Sequence, residues 1–130
     1  MVFSLICNEE GLVKAVLRNT TGMDIKSFSS NIFQFIVDSG QSSGYTLLSY
    51  LQIQKQVFSF PLTFYIQQEP RTLYIAGNRF ENNILLTGSD NKDLLLAEYY
   101  DSLNSFVKHI PQDNIVIPLL LMSAIENLTQ

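Results

Sequence analysis

A single cysteine, Cys7, rules out any disulfide within this chain and favours a reducing compartment. Its neighbours are apolar, which makes it a buried strand residue rather than a reactive thiol. Basic residues are scarce: eight Lys and Arg stand against twelve Asp and Glu, for a net charge of −4. None of them cluster, so the grouped cations that neutralise a phosphate backbone are missing and no nucleic-acid partner is expected. Long apolar runs are also absent. The most apolar stretch, residues 115–125, is interrupted by Pro118 and is about half the roughly 20 residues a membrane helix needs. The first residues lack the basic flank and apolar core of a signal peptide. The expectation is a cytoplasmic chain with no membrane insertion.

Catalytic groups are equally sparse. His109 is the only histidine. No Ser/His/Asp arrangement or metal-ligand spacing is recognisable, and the glycines match no phosphate loop. No enzyme activity, catalytic residue, metal or cofactor is expected.

What the chain does have is alternation. Phe58, Phe60, Leu62, Phe64 and Ile66 alternate with Ser59, Pro61, Thr63, Tyr65 and Gln67, a period of two that puts five apolar side chains on one face of a strand. A turn at residues 68–71 leads to a strand over 72–80. A turn at 81–83 then leads to one over 84–87, closed by Gly88. Gly77 and Gly88 read as positions of close backbone approach. Upstream, Phe3, Leu5 and Cys7 alternate with Ser4, Ile6 and Asn8, and a turn at residues 8–11 leads into a strand over 12–18. Gly11 is free to take positive φ there.

Between hairpin and meander lie helical signals. Asn31 with Gln34 resembles a capping box ahead of Ile32, Phe35 and Ile36. Residues 42–44 signal a second start. Tyr45, Leu48 and Leu51, with Leu47, make one stripe on a helix ending near Lys55. A five-stranded antiparallel sheet with short helices on one face follows, provided the terminal strands meet in the middle. After Gly88, residues 89–91 resemble a helix start. Leu96, Tyr99, Leu103, Phe106 and Ile110 then recur at steps of three and four, a heptad-like seam ended by Pro111. Such a seam either packs back on the open sheet face or pairs with another subunit. A second stripe, Leu121, Met122, Ile125 and Leu128, follows Pro118 without a C-cap, so the native chain is expected to continue past Gln130.

Taken together, this order and these residues resemble a PAS domain. The likeness is carried by residues 3–11 (FSLICNEEG), 16–19 (VLRN), 35–38 (FIVD), 73–77 (LYIAG) and 85–88 (LLTG). It spans about residues 1 to 90, with 91 to 130 as C-terminal linker or signalling helices. Within the family the chain looks most like the modules that precede histidine-kinase or serine-phosphatase output domains in prokaryotic two-component and related signalling proteins. Residues 99–103 (YYDSL) are similar to the start of the linker helix after such modules. The resemblance implies an α+β sensor domain in signal transduction, with a pocket between sheet and helices. It also implies a homodimer through the C-terminal helices. The alternative is a protein–protein interaction domain with no small ligand.

The expected pocket residues are Phe33, Ile36, Tyr45, Leu48, Phe60, Phe64 and Ile75, which either line a cavity or fill a core. A small apolar ligand suits them, with Tyr45, Tyr65 or Asn78 offering hydrogen bonds. No basic residue points clearly inward, which disfavours a carboxylate. The expected dimer seam is Leu96, Tyr99, Leu103, Phe106 and Ile110. His109 departs from the kinase phosphoacceptor pattern, because Ile110 and Pro111 follow where an acidic residue should. The light-sensing branch of the family carries an Asn-Cys-Arg-Phe motif in its helical region; here the one Cys lies on the first strand.

Overall fold

A computed structural model describes residues 1–109 of the chain. Five strands, β1 (Val2–Cys7), β2 (Val13–Asn19), β3 (Gln56–Ile66), β4 (Glu69–Phe80) and β5 (Asn83–Ser89), form one antiparallel sheet in the order β2-β1-β5-β4-β3. The outer hairpin and the meander meet as expected: β1 pairs with β5, with Val2 opposite Ser89 and Cys7 opposite Ile84.

Local chemistry explains each junction. In the first hairpin the Asn8 side chain accepts from the N–H groups of Glu10 and Leu12, and Gly11 takes φ +90°. The β3–β4 turn sits earlier than the sequence indicates. Gln67 and Gln68 form it, both at positive φ, and Glu69 and Pro70 already pair with Ile66 and Tyr65. The Asn31/Gln34 capping box forms in full, but it opens a single 3-10 turn, Ile32–Gln34, rather than a helix. Residues 35–37 then join the edge of β3: Tyr65 N–H donates to Phe35 C=O, and Val37 N–H donates to Thr63 C=O. Helix α1 (Gln41–Gln54) follows and ends at Lys55, which is left-handed at φ 65°.

The expected five-residue apolar face of β3 is broken near its start. Ser59 takes φ 62°, and a bulge between Val57 and Phe60 turns Phe58 out to solvent. Leu62, Phe64 and Ile66 keep the inward parity.

The sheet separates two apolar layers. The inner one joins Phe3, Leu5, Ile75, Ile84 and Leu86 to α1 and the 3-10 turn. The outer one joins Ile6, Ala76 and Leu85 to helix α2 (Lys92–His109). Each buried Leu or Ile of this kind contributes about 1.5–3 kcal/mol. Thus α2 packs back on the chain's own sheet, and Leu95, Tyr99, Leu103 and Phe106 are all buried there. The Arg18 guanidinium ties α2 to β2, donating through Nη1 to both carboxylate oxygens of Glu98 at 2.8 and 3.1 Å. Ile110, Pro118 and the stripe from Leu121 to Leu128 lie outside the described residues. Among the described residues no helix is long and apolar enough to cross a membrane.

Candidate functional site

The inner layer between α1 and the sheet is the candidate site, and its composition follows from strand parity. On β4, Leu73 and Ile75 face α1, while Ala76 faces α2. On β5, Ile84 and Leu86 face inward and Leu85 outward. Four of the seven expected pocket residues, Ile36, Leu48, Phe64 and Ile75, are fully buried in this one cluster. Phe33 and Phe60 are half-buried at its rim.

Tyr45 is not in the layer. It is 61% exposed and stacks on the outer side of Phe33, ring centroids 4.4 Å apart. The proposed hydrogen-bonding groups also lie elsewhere. Tyr65 faces solvent, and Asn78 shares the outward parity of Ala76, next to Tyr99 of α2. The sequence reading missed Phe3, Leu47, Leu51 and Leu86 as members of the layer, although the alternation in β1 and β5 carries the signal for two of them.

The layer is closely packed. Phe3 and Phe64 meet edge to face at 5.6 Å. A Cβ added to Gly44 of α1 would stand 2.7 Å from the Phe33 ring and 3.0 Å from Ile36. Gly44 therefore lets the helix settle onto the 3-10 turn, and the segment is fixed there by Gln41. The Gln41 amide donates to the carbonyls of Phe33 and Ile36 at 3.0 and 2.9 Å. At the other end of α1, Arg79 reaches back from β4. It donates to the carbonyls of Leu51 and Gln52, to that of Glu81, and to the Glu9 carboxylate at 3.4 Å. Both ends of the inner layer are thus latched by polar side chains, while its middle is apolar.

Cys7 belongs to this layer. Burial pushes its thiol up to about 12, only partly offset by the Lys14 charge, so it is inert rather than nucleophilic. Among the described residues no group of three or more His, Cys, Asp or Glu side chains could hold a metal.

The outer layer differs in having buried hydroxyls. Ser4 and Thr87 bond each other across β1 and β5 at 3.1 Å. The Tyr99 and Tyr100 hydroxyls are buried without a well-formed hydrogen bond. Burial pushes the Tyr99 phenol up, and the adjacent Asn78 side chain offsets this in part without reaching hydrogen-bonding geometry. The expected dimer seam therefore divides: Tyr99, Leu103 and Phe106 are covered by the chain's own sheet, Leu96 is half-buried, and Ile110 is outside the described residues.

No protein-family model matches the chain, and no curated protein matches it in sequence. Solved structures match it in fold. The PAS domain of the Cronobacter turicensis RpfR quorum-sensing receptor, in complex with BDSF, superposes with a TM-score of 0.59 at 13% identity, covering 68% of this chain and 92% of that one. The same domain in complex with C12:0 gives 0.58 at 14% identity, with the same coverage. The chromophore-binding domain of the bacteriophytochrome RpBphP3 from R. palustris gives 0.55 at 10% identity, covering 82% of this chain and 35% of that one. The fold of this chain is PAS-like, as the resemblance implied.

Proposed function

We propose that the chain is a PAS-like sensory module of a signal-transduction protein, in which a change in the inner layer is relayed through the sheet to α2. The observation that carries this reading is the sharing of single strands between the two layers. Leu51 of α1 would lie 3.1 Å from a Cβ on Gly77, and the next residue, Ala76, is buried against α2. Leu86 and Leu85 divide the same way. A one-residue-thick sheet has no slack, because close-packed layers transmit small displacements. An occupant of the inner layer shifts α2 only insofar as it binds the two arrangements unequally.

The occupant that suits this layer is apolar. The RpfR neighbours hold BDSF and C12:0, and the inner layer here is built of Phe, Leu and Ile. Arg79 reaches the end of this layer, but four acceptors already engage it. A carboxylate would have to compete with them, so a neutral apolar molecule is preferred.

A histidine-kinase output and a homodimer through the C-terminal helices complete this reading. A second subunit takes the Tyr99–Leu103–Phe106 seam only if α2 leaves the sheet, which couples dimerisation to the state of the sheet.

The test is hydrogen–deuterium exchange on α2 with and without 1-dodecanol, a neutral twelve-carbon probe, beside mass spectrometry of the extract from denatured protein. A bound apolar compound and a changed exchange rate in α2 are expected. An empty extract with α2 exchange insensitive to 1-dodecanol overturns the sensory reading in favour of an interaction domain without a ligand.

A further inference from the structure

We infer that residues 118–128 turn back beside α2 as a helix and cover the outer face of β3. The inference stands apart from the sensory reading and does not use the Tyr99–Leu103–Phe106 seam. It begins with the strand that α2 does not reach. Among the described residues the outer layer draws on β1, β2, β4 and β5 and takes nothing from β3. The bulge sets Phe58 and Ser59 opposite Ala76, so Phe58 joins Pro61, Thr63 and Tyr65 on the outer face. Phe58 is 39% exposed there and Tyr65 47%. An apolar sheet face calls for a covering layer.

Spacing and direction select the occupant. Helix α2 is centred over β5, with β4 and β1 on either side. β3 lies two strands from β5, roughly 10 Å away. Packed helices have axes about 8–10 Å apart, so a neighbour of α2 on that side sits over β3. It would meet the flank of Leu96, Tyr100 and Val107, all half-buried. That flank is roughly 160–180° round the helix from Glu98, which Arg18 holds on the β2 side. Direction agrees. Lys92, at the start of α2, lies over the Tyr74 ring, and Tyr99 lies beside Asn78, opposite the first residue of β3. So α2 runs towards the end of the sheet where β3 begins, and a chain turning back there follows β3 from Phe58.

The sequence after α2 fits this path. Residues 112–117 connect Pro111 to Pro118, which suits a first helical turn. Short connections make neighbouring helices antiparallel. Leu121, Ile125 and Leu128 then fall within an arc of roughly 60°, with Leu119 on the far side. A helix over 118–128 is about 16 Å long, close to the length of strand from Phe58 to Thr63. A segment tethered this closely acts at an effective concentration of about millimolar, ahead of any free partner.

The test is hydroxyl-radical footprinting of the 130-residue chain, read at Phe58, with exposed Tyr45 of α1 as the reference outside the face. Leu121→Asp combined with Ile125→Asp removes the apolar contacts and is expected to raise Phe58 labelling at least ~3-fold, with Tyr45 unchanged. Leu119→Asp, off the stripe, is expected to change neither. If circular dichroism shows the double Asp variant to be unfolded, Leu121→Ala combined with Ile125→Ala carries the same expectation. Equal Phe58 labelling in the wild type and the folded double variant overturns the inference, as does an equal response to Leu119→Asp. Protection of Phe58 that fades on dilution overturns it too, because the cover then comes from a second copy.

Discussion

The ring of Phe3 on β1 occupies the space where Gly88 of β5, its direct cross-strand partner, would carry a Cβ. The same added carbon would stand 2.8 Å from Ile75 on the neighbouring strand β4. Glycine is thus what admits two large side chains at the centre of the inner layer. Gly88→Ala forces these neighbours apart and is expected to destabilise the fold by about 1–3 kcal/mol. Pairing it with Phe3→Leu should recover part of the loss. Chemical denaturation of the two single variants and the double variant measures this, and strict additivity would show that the ring is not the obstacle.

On the opposite face, the Tyr99 hydroxyl is buried without a well-formed partner. A stranded hydroxyl costs about 1–3 kcal/mol. Tyr99→Phe removes that cost while keeping the ring against Ala76 and Leu85, so the variant is expected to unfold at higher denaturant, with slower exchange in α2. A loss of stability instead would mean that Asn78 and the phenol make a true hydrogen bond.

How much of this was legible in the sequence depended on parity. Alternation in β1 and β3 marked two strands and their faces, because a period of two leaves little choice of face; the strand order followed from the expectation that the terminal strands meet in the middle, and Phe3 and Leu86 were not assigned to the inner layer. Phe58 defeated the alternation, since the bulge rests on a left-handed Ser59, and serine gives no warning of positive φ. The 3-10 turn at Ile32–Gln34 escaped as well: a capping box fixes where a turn starts, not how far it runs.

The destination of α2 was ambiguous for a different reason. A seam of Tyr99, Leu103 and Phe106 has the same spacing whether it meets a sheet or another helix. The deciding signal lay in other residues, Ile6, Ala76 and Leu85, which make the outward parity of the central strands apolar too. A sheet apolar on both faces requires two covering layers. Of the residues expected at the site, Ile36, Leu48, Phe64 and Ile75 lie in the inner layer, whereas Tyr45, at the margin of the α1 stripe, stacks on Phe33 from outside.

Alkaline pH should destabilise the protein through Cys7. Its thiol is held up to about 12, against an ordinary value of 9.0, by burial. Between those values the unfolded chain releases a proton that the folded chain retains, so stability is intact below about pH 9 and falls as pH rises towards 12. The slope approaches ~1.4 kcal/mol per pH unit for this one group. The Tyr99 phenol, also raised by burial, adds to the loss at higher pH. Guanidinium unfolding at a series of pH values should show the decline, and Cys7→Val should flatten its first part. An unchanged slope in that variant would exclude the thiol as the cause.

Arg79 holds the C-terminal end of α1 against the sheet through geometry as much as charge. Its Nε donates to Leu51 C=O at 3.0 Å and Nη2 to Gln52 C=O at 3.2 Å, while Nη1 reaches Glu81 C=O and Glu9. Only a planar fork meets two successive carbonyls from one side and a loop carbonyl from the other. Arg79→Lys keeps the charge and loses the fork. It is therefore expected to cost most of what Arg79→Ala costs, about 1–3 kcal/mol, with faster exchange in the last turn of α1. Glu9→Gln should cost less than about 1 kcal/mol, because that ion pair is long and its carboxylate is exposed. If Arg79→Lys instead matched the wild type while Glu9→Gln matched Arg79→Ala, the latch would be the ion pair, and the carbonyl contacts would be incidental to it.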